Sequence, residues 1–363
     1  MKRATLILAL ILLFSCFAPV AGYYFVLAAQ TRDVAGAAQQ FLQDAAGGRS
    51  DSVPDGGSKT PAPQASFLPD NAGTPKPADT AFSDADTVKV KDSTTGEVLE
   101  IPMRDYLIGA VASEMPMTWQ DDALQAQAVA THSYLLYCRD HSDTESMGGA
   151  WLEADPARRQ GFMTDAVLRS YWGTNYDINY ARLSALVDEV LTTIITYDGQ
   201  PAATSYFAIS NGRTEASQNV WDSALPYLQG VDSAADKSAE GYTSSITYTG
   251  QQMYDAIIST LGLDADSYKA ADYFSNYIYT DAGYVYSVDV CGQTVRGNVL
   301  RSALHLRSSC FSIQYADGLF TITTQGYGHG IGLSQAGAEA MAESGSSWQD
   351  ILTHYFPGTS ISG

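Results

Sequence analysis

A glutamate sits at the end of an apolar helical stripe: Leu107, Val111 and Glu114 fall at i, i+4 and i+7, and Pro116 follows two residues later. Burial of a carboxyl group there favours its neutral form and raises its pKa, which suits a general acid working near neutral pH. The same placement also fits a plain structural role, with the side chain turned to solvent or paired with an arginine. A second feature is the run Gly326-Tyr-Gly-His-Gly-Ile-Gly-Leu-Ser334-Gln-Ala-Gly337. Its glycines open main-chain geometries closed to other residues. His329 projects from that loop, and Ser334 is placed to cap the helix that follows. No Gly-Lys-Ser/Thr ends the run, so it is not a phosphate-cradling loop. A tight structural turn around a hydrogen-bonded histidine is the competing reading.

Two further groups carry candidate chemistry. His132, Cys138 and His141 offer nitrogen and sulfur ligands of the kind zinc accepts, with Asp140 or Asp143 available as a fourth. Cys138 and His141 share a helical face at i, i+3, but His132 lies about 120° away at 100° per residue. The helix must therefore end near Cys138 for the three to converge. The alternative is a packed Cys138 and a surface His141. The stretch Tyr206-Phe-Ala-Ile-Ser-Asn-Gly-Arg-Thr214 brings together the hydroxyl, amide and aromatic groups that a carbohydrate cleft uses, and that ordinary turns also use.

Several elements must position these groups. Val88, Val90, Val98 and Ile101 flank a Thr94-Thr95-Gly96 turn and predict an opening hairpin. Arg104–Met115 reads as a helix stopped by Pro116. Thr118-Trp-Gln-Asp121 resembles a capping box for a second, alanine-rich helix through Ala123, Ala126, Ala130 and Tyr134. Beyond it the chain turns strand-rich, with turns expected at Asp198-Gly199, Cys291-Gly292 and Asp317-Gly318. The stretches 143–185 and 232–280 read as partly helical excursions. The predicted class is α+β: a mixed, strand-rich core with N-terminal helices carrying Glu114.

The 363 residues hold 40 Asp+Glu against 20 Lys+Arg. That balance lacks the clustered basic excess that nucleic-acid binding needs, and excludes it as a partner. Lys2 and Arg3 precede an uncharged run, Ala4 to Ala29, longer than the ~18 residues that mark a spanning helix. Residues 1–30 therefore read as a single-pass anchor with its N-terminus cytoplasmic. Residues 31–86, rich in Gly, Pro, Ala, Ser and Asp from about residue 45, read as a flexible extracytoplasmic linker. Residues 87–363 form the remaining domain. Its three cysteines allow a Cys291–Cys310 disulfide, or three buried thiols.

Tyr106-Leu-Ile-Gly-Ala-Val-Ala-Ser-Glu-Met-Pro116, Ala123–Ala130, Ser210-Asn-Gly-Arg-Thr214, Val220-Trp221, Pro226-Tyr-Leu228, Arg307-Ser308, Gly326–Gly337 and His354-Tyr-Phe-Pro-Gly-Thr359 resemble, in order, the stage II sporulation protein D family. The resemblance spans roughly residues 88–361. It implies a membrane-bound lytic transglycosylase that cleaves the MurNAc–GlcNAc bonds of peptidoglycan glycan strands to 1,6-anhydro products, with Glu114 as acid and then base. It further implies denuded strands as substrate, and substrate contacts from Tyr206, Ser210, His329 and Gln335. The implied partners are the stage II sporulation protein P amidase and an engulfment membrane complex. No cofactor is required for that chemistry, and zinc at His132, Cys138 and His141 would be structural. Many relatives have arginine at the position of His132, so whatever that arginine does falls here to another residue. A non-catalytic wall-binding module or an enhancer of an amidase is the alternative function.

Overall fold

Alternation and turn chemistry account for the first element pair. A computed structural model describes residues 87–221 and 223–363. Strands β1 (Thr87–Asp92) and β2 (Val98–Pro102) pair antiparallel, with Val88 opposite Ile101 and Val90 opposite Leu99. Val88 and Val90 point inward and are fully buried. The anchor and linker expected over residues 1–86 lie outside the described residues. Among the described residues, no helix is long and apolar enough to cross a membrane.

Helix α1 (Met103–Glu114) follows without a loop, and α2 (Asp121–His141) begins six residues after it. Strand β3 (Leu152–Ala154) runs parallel to β1. Helices α3 (Asp165–Trp172) and α4 (Tyr176–Val190) come next, followed by the β4 (Ile194–Tyr197) and β5 (Gln200–Pro201) hairpin. Strand β6 (Tyr206–Phe207) leads to the short helix α5 (Ser217–Val220), strand β7 (Thr243–Thr249) and helix α6 (Gly250–Ala256). Strands β8 (Phe274–Tyr279), β9 (Val285–Val290) and β10 (Gln293–Arg296) form an antiparallel meander, and helix α7 (Gly297–Ala303) closes it. Strands β11 (Phe311–Ala316) and β12 (Leu319–Gln325) make a hairpin. The chain ends with β13 (Leu333–Ser334), α8 (Gln335–Glu343), α9 (Trp348–Tyr355) and β14 (Ser360–Ser362).

The architecture is mixed α+β, as the pattern predicts, but its strands lie in separate two- and three-stranded sheets and not in one large sheet. The core instead gathers around α2, which packs against α1, α4, α8, α9 and β4. Ala123, Ala126, Ala128 and Ala130 are almost wholly buried on it, and their small side chains let these neighbours approach closely. The three expected turns form as predicted: Asp198, Cys291 and Asp317 all take positive φ, each with glycine next.

Two local expectations fail. The second helix starts after Gln120, with no side-chain cap, and Thr118 forms no capping box. The Gln120 N–H is taken instead by the Glu339 carboxylate at 2.9 Å, a contact 219 residues away in sequence. That helix also runs unbroken through His141, so its rotation keeps His132 off the face shared by Cys138 and His141. The three cysteines of the domain are free thiols; Cys138 and Cys291 are buried, as the second reading expects, whereas Cys310 is half-buried.

Glycines in the 326–337 run serve close packing. The run lies along residues 205–210, with Ile209 and Tyr327 exchanging backbone hydrogen bonds and β13 parallel to β6. Gly332 has φ +81, and a Cβ there would stand 2.1 Å from the Ser205 carbonyl oxygen. Gly332→Ala is therefore expected to destabilise the domain by roughly 2–4 kcal/mol, from left-handed strain plus displaced backbone. Urea denaturation of the two proteins measures this, and equal midpoints would contradict it.

Candidate active site

Glu114 is the last residue of α1. Met115 turns extended, and Pro116 cannot continue the helix. The stripe behind it is buried as the spacing predicts, with Leu107 1% and Val111 0% exposed. The carboxyl group has one hydrogen-bond donor: Gln335 Nε2 reaches its Oε2 at 3.0 Å. Its Oε1 is buried and has no hydrogen-bond partner. Burial pushes the Glu114 pKa up to about 7, against the opposing pull of the Gln335 hydrogen bond. The position at the negative end of the α1 dipole, with no basic residue in the last turn, works in the same upward direction.

Gln335 is itself held from both sides. It is the first residue of α8, and β13 fixes where that helix starts by pairing with β6. Its Nε2 also lies 3.3 Å from Gln127 Oε1, and Gln127 Nε2 donates to Thr131 Oγ1 at 3.0 Å. Thr131 in turn hydrogen-bonds the Tyr206 hydroxyl. The phenols of Tyr206 and Tyr106 both feel the Glu114 charge, and burial raises the pKa of each. The result is a row of neutral polar groups from α2, β6 and α8 facing one acid. Burial and the Gln335 bond are what set its pKa, and no second carboxylate acts on it.

The predicted site residues do not all share one role. Tyr206 and Gln335 face Glu114. His329 lies beside them, but both of its ring nitrogens are occupied. The Ile331 N–H donates to Nδ1 at 3.0 Å, which leaves Nε2 as the protonated nitrogen facing the Tyr206 carbonyl oxygen at 3.1 Å. Burial, reinforced by the Arg301 charge, pushes its pKa down to about 3, so it stays neutral. Phe207 and Trp221 pack against its ring. His329 thus organises the loop. Ser210 is fully buried and belongs to a turn, its Oγ accepting from the Gly212 N–H at 3.0 Å.

The zinc set is not assembled. Cys138 is buried between Tyr134 and Ser142, to both of which it hydrogen-bonds. His141 stacks on Tyr137 and bonds its carbonyl oxygen at 2.9 Å. His132 is buried elsewhere on α2. Among the described residues no three His, Cys, Asp or Glu side chains could hold a metal ion. On the unbroken helix His132 lies on a different face from Cys138 and His141.

Sequence reading missed the residue that anchors the far end of the row. Asp236, 0% exposed, accepts from the Ser210 N–H and from Ser334 Oγ, each at 2.6 Å. Ser334 caps α8 through the Gly337 N–H at 3.4 Å. One buried carboxylate therefore ties the 210–212 turn to the helix start that presents Gln335. Its short-range pattern, an Asp in a single turn of 3₁₀ helix at Ala234–Ser238, carries no hint of this. Gln127 and Thr131 were legible only as polar residues at i, i+4 among buried alanines.

Fold and site together define an α+β domain built to keep one carboxylic acid dry and partly oriented. The profile described as SpoIID, stage II sporulation protein, matches residues 91–197. The chain is 33% identical over 288 residues to stage II sporulation protein D of Bacillus subtilis (strain 168), covering 79% of this chain and 82% of that protein. It is 33% identical over 277 residues to stage II sporulation protein D of Bacillus amyloliquefaciens, covering 76% and 78%. It is 26% identical over 303 residues to a Bacillus subtilis (strain 168) protein named amidase enhancer, covering 70% of this chain and 40% of that protein. The chain belongs to the stage II sporulation protein D family.

Two outcomes follow from the site's electrostatics. Between an unfolded pKa near 4.5 and a folded pKa near 7, the native state binds the extra proton, so ionising Glu114 costs stability as pH rises through that window. Glu114→Gln is thus expected to stabilise the domain on the order of 3 kcal/mol at pH 8 and not at all at pH 4, as measured by denaturant melts at both pH values. Asp236→Ala should destabilise by about 3 kcal/mol, because it strands buried donors. A loss below 1 kcal/mol in the same melts would contradict the anchoring role.

Proposed function

We propose that the protein is a lytic transglycosylase acting on the glycan strands of peptidoglycan. The observation that carries this reading is a single buried acid with a pKa near neutrality and no second carboxylate acting on it. Most glycoside hydrolases need two carboxyl groups, one of them to activate water or form a glycosyl intermediate. One carboxyl suffices when the substrate supplies its own nucleophile. Protonated Glu114 gives its proton to the glycosidic oxygen between MurNAc and GlcNAc, and the C1–O bond breaks with the electron pair leaving on that oxygen. The C6 hydroxyl of the same MurNAc then attacks C1 and returns its proton to the Glu114 carboxylate. The products are a free GlcNAc 4-hydroxyl and a 1,6-anhydro MurNAc end, with no water consumed.

Gln335 holds Oε2 and leaves Oε1 without a protein partner, which suits a proton delivered from Oε1 to substrate. The family resemblance implies an arginine in many relatives where this chain has His132. The charge-neutral Gln335–Gln127 pair takes over orientation of the acid here without a cation that would lower its pKa. Denuded strands, an amidase that strips stem peptides, and a place at the cell membrane during engulfment form the biological part of the same proposal. It draws on the family's sporulation role and on the relative named amidase enhancer.

That relative also sustains a second reading, in which the domain binds wall glycan and assists an amidase without cutting. Mass spectrometry of denuded strands separates the two. The enzyme reading expects anhydro-ended fragments from the wild type and at least a 10³-fold loss with Glu114→Gln. Intact strands from both proteins, with amidase activity still enhanced by both, would favour the second. The free enzyme must carry the proton, so kcat/KM is expected to fall as pH rises through about 7. With no second titrating carboxylate, the profile should be a single sigmoid; a bell shape would contradict one-acid chemistry.

A further inference from the structure

Arg301 and Arg307 lie next to one another in the fold, and neither forms an ion pair among the described residues, although the sequence holds 40 acidic residues. The arginine–carboxylate pairs of the described residues fall at Arg104, Arg139, Arg158, Arg169 and Arg182. Arg301 and Arg307 are both part-buried, yet no carboxylate hydrogen-bonds to or acts electrostatically on either. Arg301 spends its Nε on the Arg307 carbonyl oxygen at 3.3 Å. Arg307 lies with its guanidinium 4.2 Å over the Tyr327 ring, and its Nε is buried with no partner. Neither arginine donates an Nη hydrogen bond to any described residue. A Cβ at Gly241 would stand 3.3 Å from both Nη atoms of Arg307, so a larger residue there would crowd the guanidinium.

Unpaired part-buried cations are costly unless an anion completes them. The segment that carries them is joined to the surroundings of the acid through the glycine loop. The Arg301 charge reaches His329, His329 meets the Tyr206 carbonyl oxygen, and the Tyr206 phenol feels Glu114. The Gly328 N–H donates to the Arg307 carbonyl oxygen, so the arginine segment is bound directly to the glycine loop.

We infer that Arg301 and Arg307, with Tyr327 as backing, form an anion site for the lactyl carboxylate of a MurNAc residue in the bound strand. The inference rests on the glycan reading above and deepens it. A stem peptide converts that carboxylate into a neutral amide, and removing the peptide restores the charge. Planar guanidinium forks are matched to a carboxylate and poorly to an amide, which brings a hydrogen of its own and no charge. The site would therefore read whether a strand has been stripped.

The test uses the full chain and two MurNAc–GlcNAc oligomers, one with free lactyl carboxylates and one with the same groups as methyl amides. Binding is followed by calorimetry. The wild type is expected to bind the free acid about tenfold more tightly, and Arg301→Gln and Arg307→Gln should bind both oligomers alike. Arg301→Lys and Arg307→Lys keep the charge and should retain part of the preference, which guards against a glutamine variant that fails to fold. Equal or unmeasurable binding of the two oligomers by the wild type would overturn the inference, as would a preference that survives in both glutamine variants. Binding preference without any cleavage would sink the transglycosylase reading and leave the anion site standing.

Discussion

The hydrogen bond from Gln335 to Glu114 sets the working state of the site, because it is the one polar contact given to a carboxyl group otherwise walled off from water. A charged donor there would hold the acid ionised, and a second neutral donor would lower its pKa further. With one neutral amide, desolvation wins and the pKa stays near 7. Much of the fold can be read as the means of placing that amide. The glycine run lets β13 lie flat along β6, Ser334 starts α8 at a fixed point, and Asp236 holds Ser334. Gln335 then falls within reach of the end of α1, 221 residues earlier in the chain.

This arrangement explains where the domain concentrates its buried polar groups. Asp236, Gln127, Thr131 and Ser334 are all 2% exposed or less, and each has a hydrogen-bond partner. Two buried carboxyl oxygens are left unmatched, Glu114 Oε1 and Asp236 Oδ1. Unmatched buried oxygens on two carboxyl groups are a pattern found where stability has been given up for function.

Local signals made much of this legible in the sequence. The hairpin turns were readable because residues with positive φ are chemically distinctive, and Glu114 because an acid ending an apolar stripe ahead of proline is out of place. Ser334 was readable as a cap. What failed was whatever depended on a partner distant in sequence. Thr118 looked like a cap until Glu339 supplied one from α8, and the zinc reading required a helix end near Cys138, whereas the helix runs on to His141. Asp236 was invisible for the same reason, since its role consists of contacts with residues 26 and 98 positions away. His329 was noticed for its chemistry, but its neighbours use both nitrogens for the backbone.

The chain belongs to the stage II sporulation protein D family, and the proposed catalysis rests on the protonation state of one side chain. Carbon-13 NMR of the domain labelled at glutamate side-chain carboxyls, titrated from pH 4 to pH 9 with Glu114→Gln to assign the resonance, reads that state directly. The account predicts a single Glu114 transition near pH 7. A transition near the ordinary glutamate value of about 4.3 would mean the carboxyl is ionised at neutral pH, and would contradict the acid role on which the mechanism depends.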